Sequence, residues 1–321
     1  MGDIWLSVLG IVIILGVVAF WTWYAKRGKS GGVGGGSILN QYAKDLTQAA
    51  REGKIDPVIG REKEIIRVTE ILTRRTKSNP VLVGNAGVGK TAIADGLALK
   101  IAQGKVPQAL KNKRVLALDI TSLLSGTKYR GEFEQRLQKV IQEIEAAKRG
   151  IIIFIDELHI LAESGEAEGA VGAGDILKPM LARGDLQVIG ASTFKEYFKT
   201  IHADQTIERR FQPVYIKEPS PEDTLKMLKG LRPSYEKFHE LKITDEALKA
   251  AVDLSKKYIK NRNFPDKAID LMDEACARVR LASAEKGKAA VKVTDKDVED
   301  VLQESREMKS LNIEETAKAE A

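Results

Sequence analysis

The 321-residue chain is 43% hydrophobic and 30% charged, an ordinary globular composition with room for one medium domain and a smaller one. Its net charge of +6 would fit binding to nucleic acid or an acidic surface, but acidic and basic residues alternate along the helical stretches and no long Lys/Arg run occurs. A solvated, mixed-charge surface is therefore expected. Cys276 is the single cysteine, and His159, His202 and His239 lack ligand spacing, which excludes a disulfide framework and a thiolate zinc site.

Along the chain, Ile4–Tyr24 (IWLSVLGIVIILGVVAFWTWY) is uncharged and as a helix would span about 31 Å at about 1.5 Å per residue. Trp5 at one end and Trp21, Trp23 and Tyr24 at the other match interfacial aromatic belts. A cleavable signal peptide would want basic residues before a shorter run. Here Asp3 precedes it and Lys26, Arg27 and Lys29 follow, so a retained transmembrane anchor (1–29) is expected. The positive-inside rule then predicts a single-pass inner-membrane protein, N-terminus outside, with the remainder cytoplasmic. Residues 30–38 form a Gly/Ser-rich linker, and Leu39–Gly53 reads as one helix.

Strand and helix patterns then alternate. The expected strands are Pro80–Val83, Arg114–Asp119, Ile151–Ile155, Leu186–Ser192 and Pro213–Ile216, which predict an α/β domain (39–218) with a parallel sheet flanked by helices. Between the first strand and the helix Thr91–Gln103 lies GNAGVGKT, a complete GxxxxGK[ST] phosphate loop. Gly84, Asn85, Ala86, Gly87, Val88 and Gly89 would wrap phosphate with backbone N–H groups. Lys90 would reach the β- and γ-phosphates, and the Thr91 hydroxyl would ligate Mg²⁺. The strand Ile151–Ile155 runs into an acid pair, Asp156 and Glu157. ATP with Mg²⁺ is the expected cofactor pair. After Pro219 the pattern is helical only, at Pro221–Leu231, Thr244–Lys257, Pro265–Glu285 and Thr294–Glu304. This predicts a small all-helical domain (219–305) and a polar tail (306–321).

Taken in order, DPVIGR (Asp56–Arg61), GNAGVGKT, KYRGE (Lys128–Glu132), IDELH (Ile155–His159), GAST (Gly190–Thr193), IERRF (Ile207–Phe211) and PDKAID (Pro265–Asp270) resemble the first ATPase domain of Clp-family AAA+ ATPases. The resemblance runs from about Gln41 to Leu302. It implies that Val58 and Ile59 line the adenine pocket, that Asp156 holds the metal, that Glu157 is the catalytic base polarising the attacking water, and that Thr193 senses the γ-phosphate. It also implies that Arg209 and Arg210 are arginine fingers reaching a neighbouring subunit's ATP, which requires a homo-oligomeric ring, of six in this family. Lys128, Tyr129 and Arg130 would form a pore loop gripping polypeptide clients, with a second mobile segment at Glu163–Gly174. Lys267 stands where some relatives carry a nucleotide-sensing arginine.

Several family parts are missing from the sequence. It has no HExxH zinc-protease helix, no second phosphate loop, no coiled-coil insertion and no [LIV]-G-[FL] loop. A single ring is therefore expected, and a ClpP-type protease partner is unsupported. The leading reading is a membrane-anchored, ATP-driven unfoldase or remodelling chaperone. A nucleotide-controlled membrane assembly scaffold is the alternative, and a nucleic-acid machine is disfavoured by the aromatic pore loop.

Overall fold

The computed structural model describes residues 37–125, 130–160, 179–181, 183–184, 186–285 and 292–304. Its element order is α1 (Ile38–Tyr42), β1 (Ala43–Asp45), α2 (Leu46–Arg51), α3 (Glu62–Leu72), β2 (Asn79–Val83), α4 (Lys90–Ala102), β3 (Arg114–Leu118), α5 (Ile120–Leu124), α6 (Arg130–Ala146) and β4 (Ile151–Ile155). There follow β5 (Val188–Ser192), α7 (Phe194–Glu196, continued as a π turn to Ile201), α8 (Gln205–Glu208), β6 (Phe211–Tyr215), α9 (Pro221–His239), β7 (Lys242–Ile243), α10 (Asp245–Tyr258), α11 (Asp266–Glu285), β8 (Lys292–Val293) and α12 (295–304).

Six strands form one sheet in the order β1-β3-β4-β5-β2-β6. Every residue of β2, β4 and β5 is buried, as expected of central parallel strands covered on both faces. One face packs Val83, Ile153, Ile155 and Val188 against Leu137 and Val140 of α6. The other packs Leu82, Phe154 and Ala191 against Ile93 and Leu97 of α4 and Val68 and Ile71 of α3.

The sheet is mixed rather than purely parallel, because β1 runs antiparallel to β3 with Lys44 opposite Ala117. The expected helix Leu39–Gly53 is accordingly broken in the middle. Pairing to β3 overrides the helical pattern, and Asp45 caps α2 by accepting from the Gln48 N–H while its other oxygen accepts from Arg114 Nε at 2.8 Å. Glu143 on α6 clamps α1, accepting from the Ser37 hydroxyl at 2.6 Å and from the N–H groups of Ile38 and Leu39.

After residue 219 the helices build a separate core around Leu248, Met272, Cys276 and Val298. Two differences from the expected all-helical domain stand out. Helix α9 does not stop before Pro233 but runs through it to His239. A two-residue parallel pair, β7 with β8, ties the start of α10 to the start of α12. β4 has the bounds expected of it, and the bounds of the other expected strands and helices shift by no more than two residues.

Candidate functional site

The phosphate loop joins the carboxyl end of β2 to the first turn of α4, and its shape depends on its glycines. Gly87 and Gly89 have φ of 77° and 87°, in the left-handed region. A Cβ on Gly84 would sit 2.5 Å from the Ile216 carbonyl oxygen. Val88 is a buried core residue, so its side chain anchors the loop while its backbone shapes it. Asn85 and Ala86 are exposed. Lys90 Nζ donates to the carbonyls of Gly84 and Asn85, both at 2.9 Å. Burial pushes the Lys90 ammonium below its ordinary range, opposed by the charges of Asp156, Glu196 and Glu157.

Strand β4 delivers the acids. Thr91 Oγ1 donates to Asp156 Oδ2 at 3.0 Å, so a hydroxyl and a carboxylate converge where α4 starts, an oxygen donor set that fits Mg²⁺. Glu157 has φ of 55°. The ladder along β4 runs Ile153 N–H to the Gln187 carbonyl, a pattern that would take the Glu157 N–H to Ala191. Instead Leu158 donates to Ala191 at 2.9 Å, and the Glu157 N–H turns to Asp156 Oδ1. Glu157 is thus an inserted residue, re-aimed out of the ladder as bulges beside active sites commonly do. Its side chain is exposed in a cleft of about 570 Å³ that Gly87, Lys90, Thr91, Asp156 and Thr193 also line.

Thr193 at the end of β5 caps α7 in a capping box with Glu196. Its hydroxyl donates to Glu196 Oε2 at 2.7 Å and accepts from the Glu196 N–H. Its hydroxyl proton is therefore already committed. Burial pushes the Glu196 carboxyl up, but the Thr193 hydroxyl and N–H, with His159 and Lys90, outweigh it and hold it below the usual range. Glu196 lines the same cleft and was missed in the sequence, although T-x-x-E after an apolar strand is a capping-box signal.

Val58 and Ile59 line an adjoining cleft of about 250 Å³, with Asp95 of α4 and Met227 of α9. Ile59 packs so closely on α9 that a Cβ on Gly230 would meet its Cδ1 at 1.6 Å. Arg61, also missed, is buried and binds three elements together. It donates to the Val88 carbonyl at 2.6 Å, to the Lys217 carbonyl at 3.1 Å and to Glu64 at 3.1 Å. The helical segment closes the cleft from the other side. Asn263 Nδ2 donates to the Ala86 carbonyl at 3.0 Å, and Asp266 stands against Gly87, where a Cβ would approach its own Cβ to 2.8 Å. Lys267 does not face the cleft; it is buried, donates to the Ile259 carbonyl at 3.1 Å and lies over the Phe264 ring.

Arg209 and Arg210 are exposed at the end of α8, just before β6. Phe211 pairs with Asn79, the first residue of β2, whereas the phosphate loop leaves the last. The arginines and their own loop therefore flank opposite ends of the strand, about 16 Å at roughly 3.3 Å per residue. Lys128 and Tyr129 lie outside the described residues, as does Glu163–Gly174, and Arg130 is described only as the start of α6.

A glycine loop at a helix N-terminus, a lysine reaching over it, and an acid pair at the end of a strand two places away define a P-loop nucleotide-binding site at the carboxyl ends of a mostly parallel sheet. The comparisons agree. Residues 80–212 match the ATPase family associated with various cellular activities (AAA), and residues 220–321 match an AAA lid domain. The chain is 58% identical over 243 residues to the chaperone protein ClpB of Rhodopseudomonas palustris, covering 76% of this chain and 28% of that protein. It is 59% identical over 245 residues to the ATP-dependent Clp protease ATP-binding subunit ClpC of Staphylococcus aureus, covering 76% and 30%. The Saccharomyces cerevisiae Hsp104–ADP complex superposes with a TM-score of 0.73 at 45% identity, covering 81% of this chain and 44% of that one. The chain belongs to the Clp/Hsp100 family of AAA+ ATPases. It spans less than a third of the length of these curated relatives.

The inner-membrane location expected from Ile4–Tyr24 is corrected. Among the described residues no helix is long and apolar enough to cross a membrane, and the matched relatives are named as a chaperone and a protease subunit. That expectation rested on the apolar run, the aromatic residues at its ends and the charges flanking it, all of which lie outside the described residues.

Proposed function

We propose that this chain binds ATP in the paired clefts between its α/β domain (39–218) and its lid (219–305), hydrolyses it, and uses the cycle to pull on polypeptide as one subunit of a six-membered ring. The observation that carries the reading is the convergence of Lys90, Thr91, Asp156 and Glu157 on one cleft beside the phosphate loop. Val58 and Ile59 hold the adenine, and the N–H groups of the loop from Gly84 to Thr91 hold the phosphates. Lys90 exchanges its two carbonyl partners for β- and γ-phosphate oxygens. Thr91 and Asp156 would hold Mg²⁺, which supplies positive charge to the transferring phosphate. Glu157 accepts a proton from a water whose oxygen bonds to the γ-phosphorus as ADP departs. Thr193, tied to Glu196, couples the γ-phosphate position to α7.

The placement of Arg209 and Arg210 beyond the far end of β2 supports their acting on a neighbour's nucleotide rather than their own. A guanidinium in that role is worth about 10³–10⁵ in rate in well-studied phosphoryl transfers. Each copy brings one phosphate loop, so a ring of this chain alone has a single tier of sites. Lys128, Tyr129 and Arg130 would grip the client, the aromatic ring giving sequence-tolerant contact.

The test compares full-length chain, Glu157→Gln and Tyr129→Ala for ATP turnover and for unfolding of a tagged fluorescent reporter. Glu157→Gln should bind ATP and turn it over slowly, and Tyr129→Ala should keep turnover and lose unfolding. Unchanged unfolding by Tyr129→Ala would defeat the pulling role and leave a nucleotide-controlled assembly role. Turnover stimulated by DNA with steep salt dependence would instead point to a nucleic-acid machine.

A further inference from the structure

Ser192 ends β5 one residue before Thr193 and lines the phosphate cleft. It is only 2% exposed, and its hydroxyl has no hydrogen-bond partner among the described residues. A buried hydroxyl without a partner is uncommon in a folded protein and calls for a reason. Packing does not require it, since an alanine would fill nearly the same space without a polar atom to satisfy.

The sheet shows what stands beside it. Strand β5 lies between β2, which leads into the phosphate loop, and β4, which leads into the turn carrying Glu157. The β4–β5 pairing ends at Ile155 and Gly190, and past the inserted Glu157 the Leu158 N–H takes the Ala191 carbonyl beside Ser192. Leu158 packs back over Gly190, where a Cβ would meet its Cδ2 at 2.4 Å, and Glu157 and Ser192 line the same cleft. On its other side Ser192 pairs with Val83, and its carbonyl accepts from the Gly84 N–H at 3.2 Å. The hydroxyl thus lies between the phosphate loop and the acid expected to activate water. The neighbouring hydroxyl of Thr193 is spent on Glu196.

We propose that Ser192 is a positioning residue for Glu157, its hydroxyl donating to the Glu157 carboxylate when that side chain turns in over the cleft to take the water proton. The inference rests on the ATPase reading above and deepens it. The two neighbouring hydroxyls then have different roles, Thr193 coupling to α7 through Glu196 while Ser192 fixes the aim of the base.

The test uses the full chain with Ser192→Ala and Ser192→Thr, measuring kcat and KM for ATP, affinity for a fluorescent ATP analogue, and thermal stability. Ser192→Ala should lower kcat roughly ten- to a hundredfold, as small misplacements of a reacting group do, while KM, affinity and stability stay put. Ser192→Thr, which keeps the hydroxyl, should restore most of kcat. In single-turnover measurements on Glu157→Gln, adding Ser192→Ala should cost nothing further. Unchanged kcat in Ser192→Ala, a loss shared equally by affinity and stability, or an undiminished further loss in the Glu157→Gln background would each overturn the proposal. Full turnover by Glu157→Gln alone would overturn the ATPase reading beneath it, a result distinguishable from any of these.

Discussion

Replacing Arg61 by leucine removes a buried guanidinium that joins α3, the phosphate loop and the segment after β6. The Val88 carbonyl is buried at that contact and would be orphaned, at a cost of about 1–3 kcal/mol. The Lys217 carbonyl is half-buried and can turn to water, and Glu64 loses a partly exposed ion pair worth about 0–1 kcal/mol. Leucine recovers some packing and removes a desolvated charge, so the net loss should be about 2–3 kcal/mol. For a chain of 321 residues that corresponds to a fall in Tm of roughly 3–5 °C. Differential scanning calorimetry of wild type and Arg61→Leu measures it directly. Because Val88 sits inside the phosphate loop, nucleotide affinity should fall with it. A Tm within about 2 °C of wild type, with affinity intact, would refute the assignment of Arg61 as the tie between these three segments.

Gly84→Ala would force a Cβ to 2.5 Å from the Ile216 carbonyl, so the loop must shift and fluorescent-nucleotide affinity should drop at least about tenfold. Wild-type affinity would mean that the loop yields freely. Burial pushes the Glu143 carboxyl up, but the Ser37 hydroxyl and the N–H groups of Ile38 and Leu39 outweigh it and bring it below its ordinary value of 4.5. A depressed carboxyl stabilises the fold above its unfolded value and loses that contribution as pH falls through the folded value. Glu143→Gln should therefore be less stable than wild type near neutrality, and the gap should close below about pH 4.5 in urea melts. A gap independent of pH would disprove the linkage.

What the sequence disclosed follows from how locally each feature is encoded. β2, the phosphate loop and β4 were legible because a central parallel strand is a short apolar run, and Gly84, Gly87 and Gly89 mark the turn that follows. Asp156 and Glu157 announce the end of β4 in the same way. β1 was hidden because Ala43–Asp45 fits a helical pattern and becomes a strand only by pairing with β3. The Asp45-x-x-Gln48 cap at the start of α2 was the available signal. Pro233 argued for a helix end that α9 does not make, and β7–β8 are too short to carry an alternation pattern.

At the site, single residues gave their types but not their partners. Thr193 has the side chain of a phosphate sensor, whereas its hydroxyl is held by Glu196. Arg61 and Asn263 are joined to the phosphate loop across 27 and 177 residues of chain, contacts that no local pattern encodes.

The central claim, that hydrolysis at one subunit is completed by arginines of the next, is tested most directly by mixing two inactive variants. Glu157→Gln supplies intact Arg209 and Arg210, and the double variant Arg209→Ala, Arg210→Ala supplies an intact Glu157. In equal mixture, random assortment around a closed ring puts a competent acid beside competent arginines at about a quarter of the interfaces, so about a quarter of wild-type turnover should return. Turnover no greater than the sum of the two variants alone would contradict the account.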